Sequence, residues 1–125
     1  MQIISTTEAP SAIGPYSQGI VVDGWVHTSG QLPLTPSGDK ITGSLQDQTA
    51  QVFNNLEAVL KNAGCTLRDV VSVTVYMTDL AEFASMNEVF ALRFAGHHPA
   101  RSTVQVVALP TGARVEISAI ARLSA

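Results

Sequence analysis

Between Ser44 and Gly96 the sequence changes period twice, and this limits the fold more than any other feature. In SLQDQTAQVFNNLEAVLKNAG (44–64), Leu45, Val52, Phe53, Leu56, Val59, Leu60 and Ala63 recur at three- and four-residue steps. That spacing lays them along one face of a helix. Ser44 with Asp47 resembles a capping box, with Asp in place of the usual Glu. Lys61 complements the last turn and Gly64 fits a left-handed stop. DVVSVTVYMT (69–78) is β-branched and alternating. It predicts a strand with Val71, Val73, Val75 and Met77 on one side and Val70, Ser72, Thr74 and Tyr76 on the other. DLAEFASMNEVFALRFAG (79–96) returns to the helical period. Asp79 and Glu82 cap its start, Phe83, Met86, Phe90 and Phe94 form an inward stripe, and Gly96 ends it.

The flanks read as strands. QIIST is a short one, APSAIGPYSQG is a loop, and GIVVDGWVHTSG is a hairpin about Asp23-Gly24. QLPLTPSGDKITG is a connection punctuated by Pro and Gly. PARSTVQVVALPTGARVEISAIA (99–121) predicts two strands joined through Leu109, Pro110, Thr111 and Gly112. The order β-β-β-α-β-α-β-β is α+β, and its two amphipathic helices cover one face of a sheet. The strands are apolar on much of both faces, so the second face also needs a cover. No third helix is available for it. Another copy of the chain is the simplest cover.

Composition sets bounds. At 125 residues the chain is one domain, 1–125, and 46% apolar with 14% charged residues makes it globular rather than disordered. A net charge of −3 with no Lys/Arg cluster gives a nucleic-acid groove little support. No apolar run approaches the roughly 20 residues of a membrane span. MQIISTTEAPSA lacks the pattern of a secretory signal, and the single Cys65 cannot form an internal disulfide. A reducing, cytoplasmic setting fits. Cys65 follows a helix C-terminus, where the dipole disfavours a thiolate, so it reads as packing.

Arg101 and Glu116 stand on strands whose other residues belong in a core. A hairpin about Leu109 and Pro110 would bring Thr103 near Glu116 and Arg101 a diagonal step away. Such neighbours share a face at roughly 7–8 Å. Arg101, Thr103 and Gln105 share a face by alternation, as do Glu116, Ser118 and Ile120. The pair then has two uses. It is either a structural ion pair, or a site in which the guanidinium holds a carboxylate and a partly desolvated glutamate moves protons. GPYSQG reads equally as a turn or as a cleft wall. Ser29 and Gly30 in HTSGQLP read as a simple strand terminator or as a strand end whose N–H groups can hold an anion. His97 and His98 lack metal-ligand spacing and read as a solvated loop. Trp25 and Tyr76 read as core or interface.

APSAIGPYSQG, TSGQLP, NNLEAVLKNAG, VYMTDLAEFASMNEVF, PARSTVQVVALP and VEISAIA occur in an order that resembles the Rid (YjgF-like) family of reactive-intermediate deaminases. The resemblance covers nearly the whole chain. It implies a chorismate-mutase-like α+β fold: a mixed β-sheet with two helices on one face, three copies forming a central β-barrel, and sites between subunits. It implies hydrolysis of 2-imino acids and their 2-aminoacrylate-type tautomers to 2-oxo acids and ammonia, without metal or organic cofactor. By the resemblance, Arg101 clamps the substrate carboxylate and Glu116 is the acid/base. Tyr16, Ser29, Gly30 and Asn87 line the cleft, and Thr103 stands where many members carry Cys. Two departures stand out. FAGHHPARS is a shorter approach to the arginine and lacks an aromatic before the proline, and Ser118 replaces a common Glu. The other readings are a non-catalytic trimer binding small carboxylates such as 2-oxo acids, and a related hydrolase acting on a different small substrate. The deaminase and the binder both use Arg101, but of these two only the enzyme needs Glu116 for turnover.

Overall fold

A computed structural model describes residues 1–124. Its elements run β1 (Gln2–Ile4), β2 (Gly19–Val22), β3 (Trp25–Thr28), α1 (Leu45–Asn62), β4 (Val70–Met77), α2 (Phe83–Phe94), β5 (Ala100–Gln105) and β6 (Val115–Arg122). This is the expected order of strands and helices. The hydroxyl of Ser44 caps α1, accepting from Asp47 N at 3.1 Å, and Gly64 follows with φ +85°. A 3-10 turn, Leu80–Glu82, precedes α2 and is capped by Asp79, whose Oδ1 accepts from Ala81 N at 2.9 Å. Glu82 caps nothing. Its Oε1 instead accepts from Arg114 Nη1 at 2.7 Å. The β2–β3 turn places Asp23 and Gly24 at φ 50° and 81°, the paired positive values of a tight hairpin turn.

The strands form one six-stranded sheet in the order β1-β2-β3-β6-β4-β5. Here the predicted final hairpin is overturned. β5 pairs parallel with β4, and β6 pairs antiparallel with β4 on its other side, so β5 and β6 are not neighbours. Composition explains the exchange. Val115, Ile117, Ala119 and Ala121 of β6 are all buried, whereas every residue of β5 except half-buried Thr103 is exposed. The apolar strand takes the interior position and the polar one the edge.

Both helices lie on the face carrying Val73, Val75, Met77, Val115, Ile117, Ala119 and Ala121, which join Val52, Phe53, Leu56, Met86 and Phe94 in one core. Phe53 meets Phe90 and Phe94 edge-on at 5.8 and 5.6 Å. Two assignments of side need correction. A register shift between Val70 and Ser72 turns Val70 inward (1% exposed) and Val71 outward (46%), as a bulge does to strict alternation. Phe83 remains 37% exposed, because it meets Arg101 rather than the core.

Among the described residues, no element covers the other sheet face. Cross-strand partners place Ile20, Val22, Trp25, Tyr76, Val104 and Ile120 there, together with Glu116 and Ser118. Trp25 is 37% exposed on this face, so it is not core. No helix among the described residues is long and apolar enough to cross a membrane.

Candidate functional site

The predicted site residues separate into two groups, and the sheet divides them. Arg101 and Thr103 are register partners of Val73 and Val75, which point under the helices. Glu116 is the partner of Tyr76, which points to the open face. Arg101 and Glu116 therefore lie on opposite faces with β4 between them. The expected diagonal contact is absent, and so is the ion pair within the chain.

The first group is built on β5 and α2. Arg101 lies over Phe90, its guanidinium carbon 4.7 Å from the ring centroid, with Phe83 at 5.4 Å. Its Nη1 donates to Asn87 Oδ1 at 2.6 Å. A planar cation stacked on rings and tied at one corner has a fixed orientation, and its other donors stay available. The hydroxyl of Thr103 is buried without a hydrogen-bond partner, which costs free energy unless something else satisfies it. Gln105, next on this face, anchors the start of the turn before α2 by accepting from Leu80 N at 2.8 Å.

The second group arises from an interruption in the β3–β6 ladder. Pairing holds from Trp25–Arg122 to His27–Ile120. Then the hydroxyl of Thr28 takes the Ala119 N–H at 2.9 Å, in place of a backbone acceptor. Pairing resumes at Gln31, whose N–H and carbonyl bond Ile117 at 2.8 and 3.2 Å. Ser29 and Gly30 are left out of the ladder. Ser29 N donates to the Gln18 carbonyl at 2.9 Å and Ser29 Oγ donates to the Ser17 carbonyl. Gly30 comes to rest on the carboxyl group of Glu116, so closely that a Cβ there would lie 2.7 Å from Glu116 Cδ. Only glycine permits this approach. Tyr16 and Gly30 share a hollow with Gln31 and Leu32. Tyr16 is exposed, and its hydroxyl accepts from Ile13 N at 3.3 Å.

Glu116 is half-buried and has no ion-pair partner among the described residues. Burial pushes its carboxyl above the ordinary glutamate value, as expected of a partly desolvated acid. Cys65 is buried, and burial together with Asp69 raises its thiol, which keeps it protonated and inert. His97 is tied to the Val70 carbonyl at 2.7 Å.

Sequence reasoning did not find the residues that hold this arrangement. Gln18 is buried and ties the segment 6–10 through its amide, accepting from Thr6 N at 2.7 Å and donating to the Pro10 carbonyl at 2.8 Å. Asn55 is wholly buried on α1 and donates to the carbonyls of Leu32 and Leu34, both at 2.9 Å. The signal for Asn55 was present, because a polar residue beside Phe53 and Leu56 on an apolar stripe needs a partner.

Residues 6–123 match the family described as Endoribonuclease L-PSP. A Mus musculus protein named 2-iminobutanoate/2-iminopropanoate deaminase is 47% identical over 121 residues, covering 96% of this chain and 90% of that protein. The crystal structure of E. coli TdcF with bound serine has a TM-score of 0.95 at 42% identity, covering 99% of this chain and 100% of that one. RidA from an Antarctic Psychrobacter gives a TM-score of 0.95 at 44% identity, covering 98% and 100%. With the family matched across nearly its whole length and relatives of this identity, this chain belongs to the endoribonuclease L-PSP family, the Rid (YjgF-like) proteins.

Proposed function

We propose that this protein, acting as one domain over residues 1–125, hydrolyses 2-imino acids and their enamine tautomers to 2-oxo acids and ammonia. The observation that carries the reading is the unpaired, half-buried carboxyl of Glu116 seated on Gly30, with its affinity for a proton raised by burial. A carboxyl so placed suits a role in proton transfer. Relatives bearing the deaminase name at 42–47% identity over nearly the full chain support the same chemistry.

The steps need no covalent nucleophile. The planar fork of Arg101, held by Phe90 and Asn87, takes the substrate carboxylate. Glu116 takes a proton from water as its oxygen bonds to the imine carbon. It passes that proton to the nitrogen, giving the carbinolamine. It then takes the carbinolamine hydroxyl proton and delivers it to the nitrogen as the C=O bond forms and the C–N bond breaks, releasing the 2-oxo acid and ammonia. One water is consumed for each imine. Tyr16, Ser29 and Gly30 wall the Glu116 side, and Asn87 the Arg101 side.

Arg101 and Glu116 point to opposite faces of one sheet, so one ligand meets both only if a second copy supplies one of them. The reading therefore includes a homotrimer whose uncovered sheet faces pack around a central barrel, with each site shared between two chains. The apolar residues of the open face and the polar edge strand β5 favour that assembly. The setting is cytoplasmic and the ligand a small carboxylic acid, with no role for nucleic acid or membrane. The test is ammonia release from imines made in situ by an amino-acid oxidase, with and without the protein, alongside light scattering. A monomer at micromolar concentration, or no acceleration of ammonia release, refutes the reading.

A further inference from the structure

Arg101 lines a cleft of about 580 Å³ formed with α2 and the segment 96–99. Phe90, Ala91, Phe94 and Pro99 give it apolar wall, and Asn87, His97 and His98 add polar groups. Sites for drug-sized ligands span about 300–1,000 Å³, far more than a three- or four-carbon acid fills. The wall is fixed. His97 N bonds the Phe94 carbonyl at 3.0 Å, and its ring bonds the Val70 carbonyl at 2.7 Å. The plane of Arg101 in this lining is set by Phe90 and Asn87. An arginine beside largely apolar wall matches an acid with a sizeable apolar body.

We propose that this cleft receives the substrate side chain, and that the preferred 2-imino acids carry a large apolar or aromatic group. The proposal rests on the deaminase reading and deepens it. The acid end meets Arg101, and a phenyl or branched aliphatic group lies against Phe90, Phe94 and Pro99. Pocket contacts of one or two carbons change discrimination by about 10–200-fold, so the cleft should favour a benzyl over a methyl side chain by at least about tenfold.

The test compares imines generated from phenylalanine, leucine and alanine in wild type and Ala91→Trp, and titrates the matching 2-oxo acids. Ala91 is exposed on α2, so the larger ring fills the cleft without entering the core. Ala91→Trp should lose at least about tenfold more in kcat/KM for the phenylalanine- and leucine-derived imines than for the alanine-derived one. Product affinities should follow the same pattern. Equal effects on large and small substrates, or none, overturn the cleft assignment. Unaccelerated hydrolysis with size-dependent, Ala91→Trp-sensitive binding would overturn the deaminase reading and uphold the cleft. Binding of none of the 2-oxo acids overturns both.

Discussion

Replacing Gly30 by alanine should separate chemistry from folding. Ordinary contact begins at 3.4 Å, and an added Cβ would lie 2.7 Å from Glu116 Cδ and 3.0 Å from Cγ, so the carboxyl carbon must retreat by about 0.7 Å. The obstructing atoms are the end of a flexible side chain on the open face, not backbone. Glu116 can therefore swing to another rotamer at a cost of about 0.5–1.5 kcal/mol. The chain should stay folded, with a melting temperature lowered by a few degrees. Catalysis is less forgiving. A misplacement of about 1 Å can cost about 10²-fold, and losing a general acid–base outright costs about 10²–10⁴-fold. Imine hydrolysis should fall within that range while 2-oxo acid binding through Arg101 persists.

The assay is ammonia release and product titration on one preparation, joined to a double-substitution cycle with Glu116→Gln. If Gly30→Ala acts by displacing Glu116, it should cost little more in the Glu116→Gln background, because the group it displaces has already lost its proton chemistry. Full additivity would show that Gly30 matters for some reason other than Glu116. An undiminished rate in the single variant would refute the placement of the acid/base group.

The remaining predictions concern the other site residues. Arg101→Ala should abolish hydrolysis and Arg101→Lys should lose most of it, since lysine keeps the charge but not the planar fork; circular dichroism should find both folded. Thr103→Val removes a buried hydroxyl without a partner, so it should raise stability by about 1 kcal/mol in denaturant titration. Glu116→Gln should leave product binding largely intact and lower turnover about 10²–10⁴-fold. It should also reveal its sign in stability. The raised folded pKa means that the native state holds the proton more tightly than the unfolded chain, so the stability contributed by Glu116 is full below its ordinary value and is lost as pH rises through the folded one. At neutral pH the glutamine variant should therefore match or exceed wild type in stability, with the difference fading in acid. A marked loss at neutral pH would mean that Glu116 is held by a cation instead.

Much of the scaffold was legible because it depends on local rules. Ser44, Asp47 and Gly64 bound α1 where capping chemistry puts the ends of a helix, and Asp23-Gly24 makes the turn that its dihedral preferences require. The errors arose where a non-local partner overrode the local period. Val70 displaced Val71 because the β4–β6 register slips, and Phe83 left the core stripe for the guanidinium of Arg101. The interrupted ladder at Thr28 could not be read from the sequence, since a threonine hydroxyl standing in for a carbonyl leaves the strand pattern unchanged.

Alternation assigns faces within a strand, and it did so correctly for Arg101 with Thr103 and for Glu116 with Ser118. It does not say which strands are neighbours, and the relation between Arg101 and Glu116 depends on that order. The needed signal was present in the run of β4, α2 and β5. Two strands joined by a helix pair in parallel, because the crossover returns the chain to the same end of the sheet. β5 then lies beside β4, and its polar residues suit the edge. The buried alternation of Val115, Ile117, Ala119 and Ala121 demands two neighbours for β6, which only the far side of β4, facing β3, can supply. In that order Arg101 shares the face of Val73 and turns toward α2, while Glu116 shares the face of Tyr76 and turns away. A site needing both residues must therefore be completed by another copy of the chain, for a reason that strand order alone supplies.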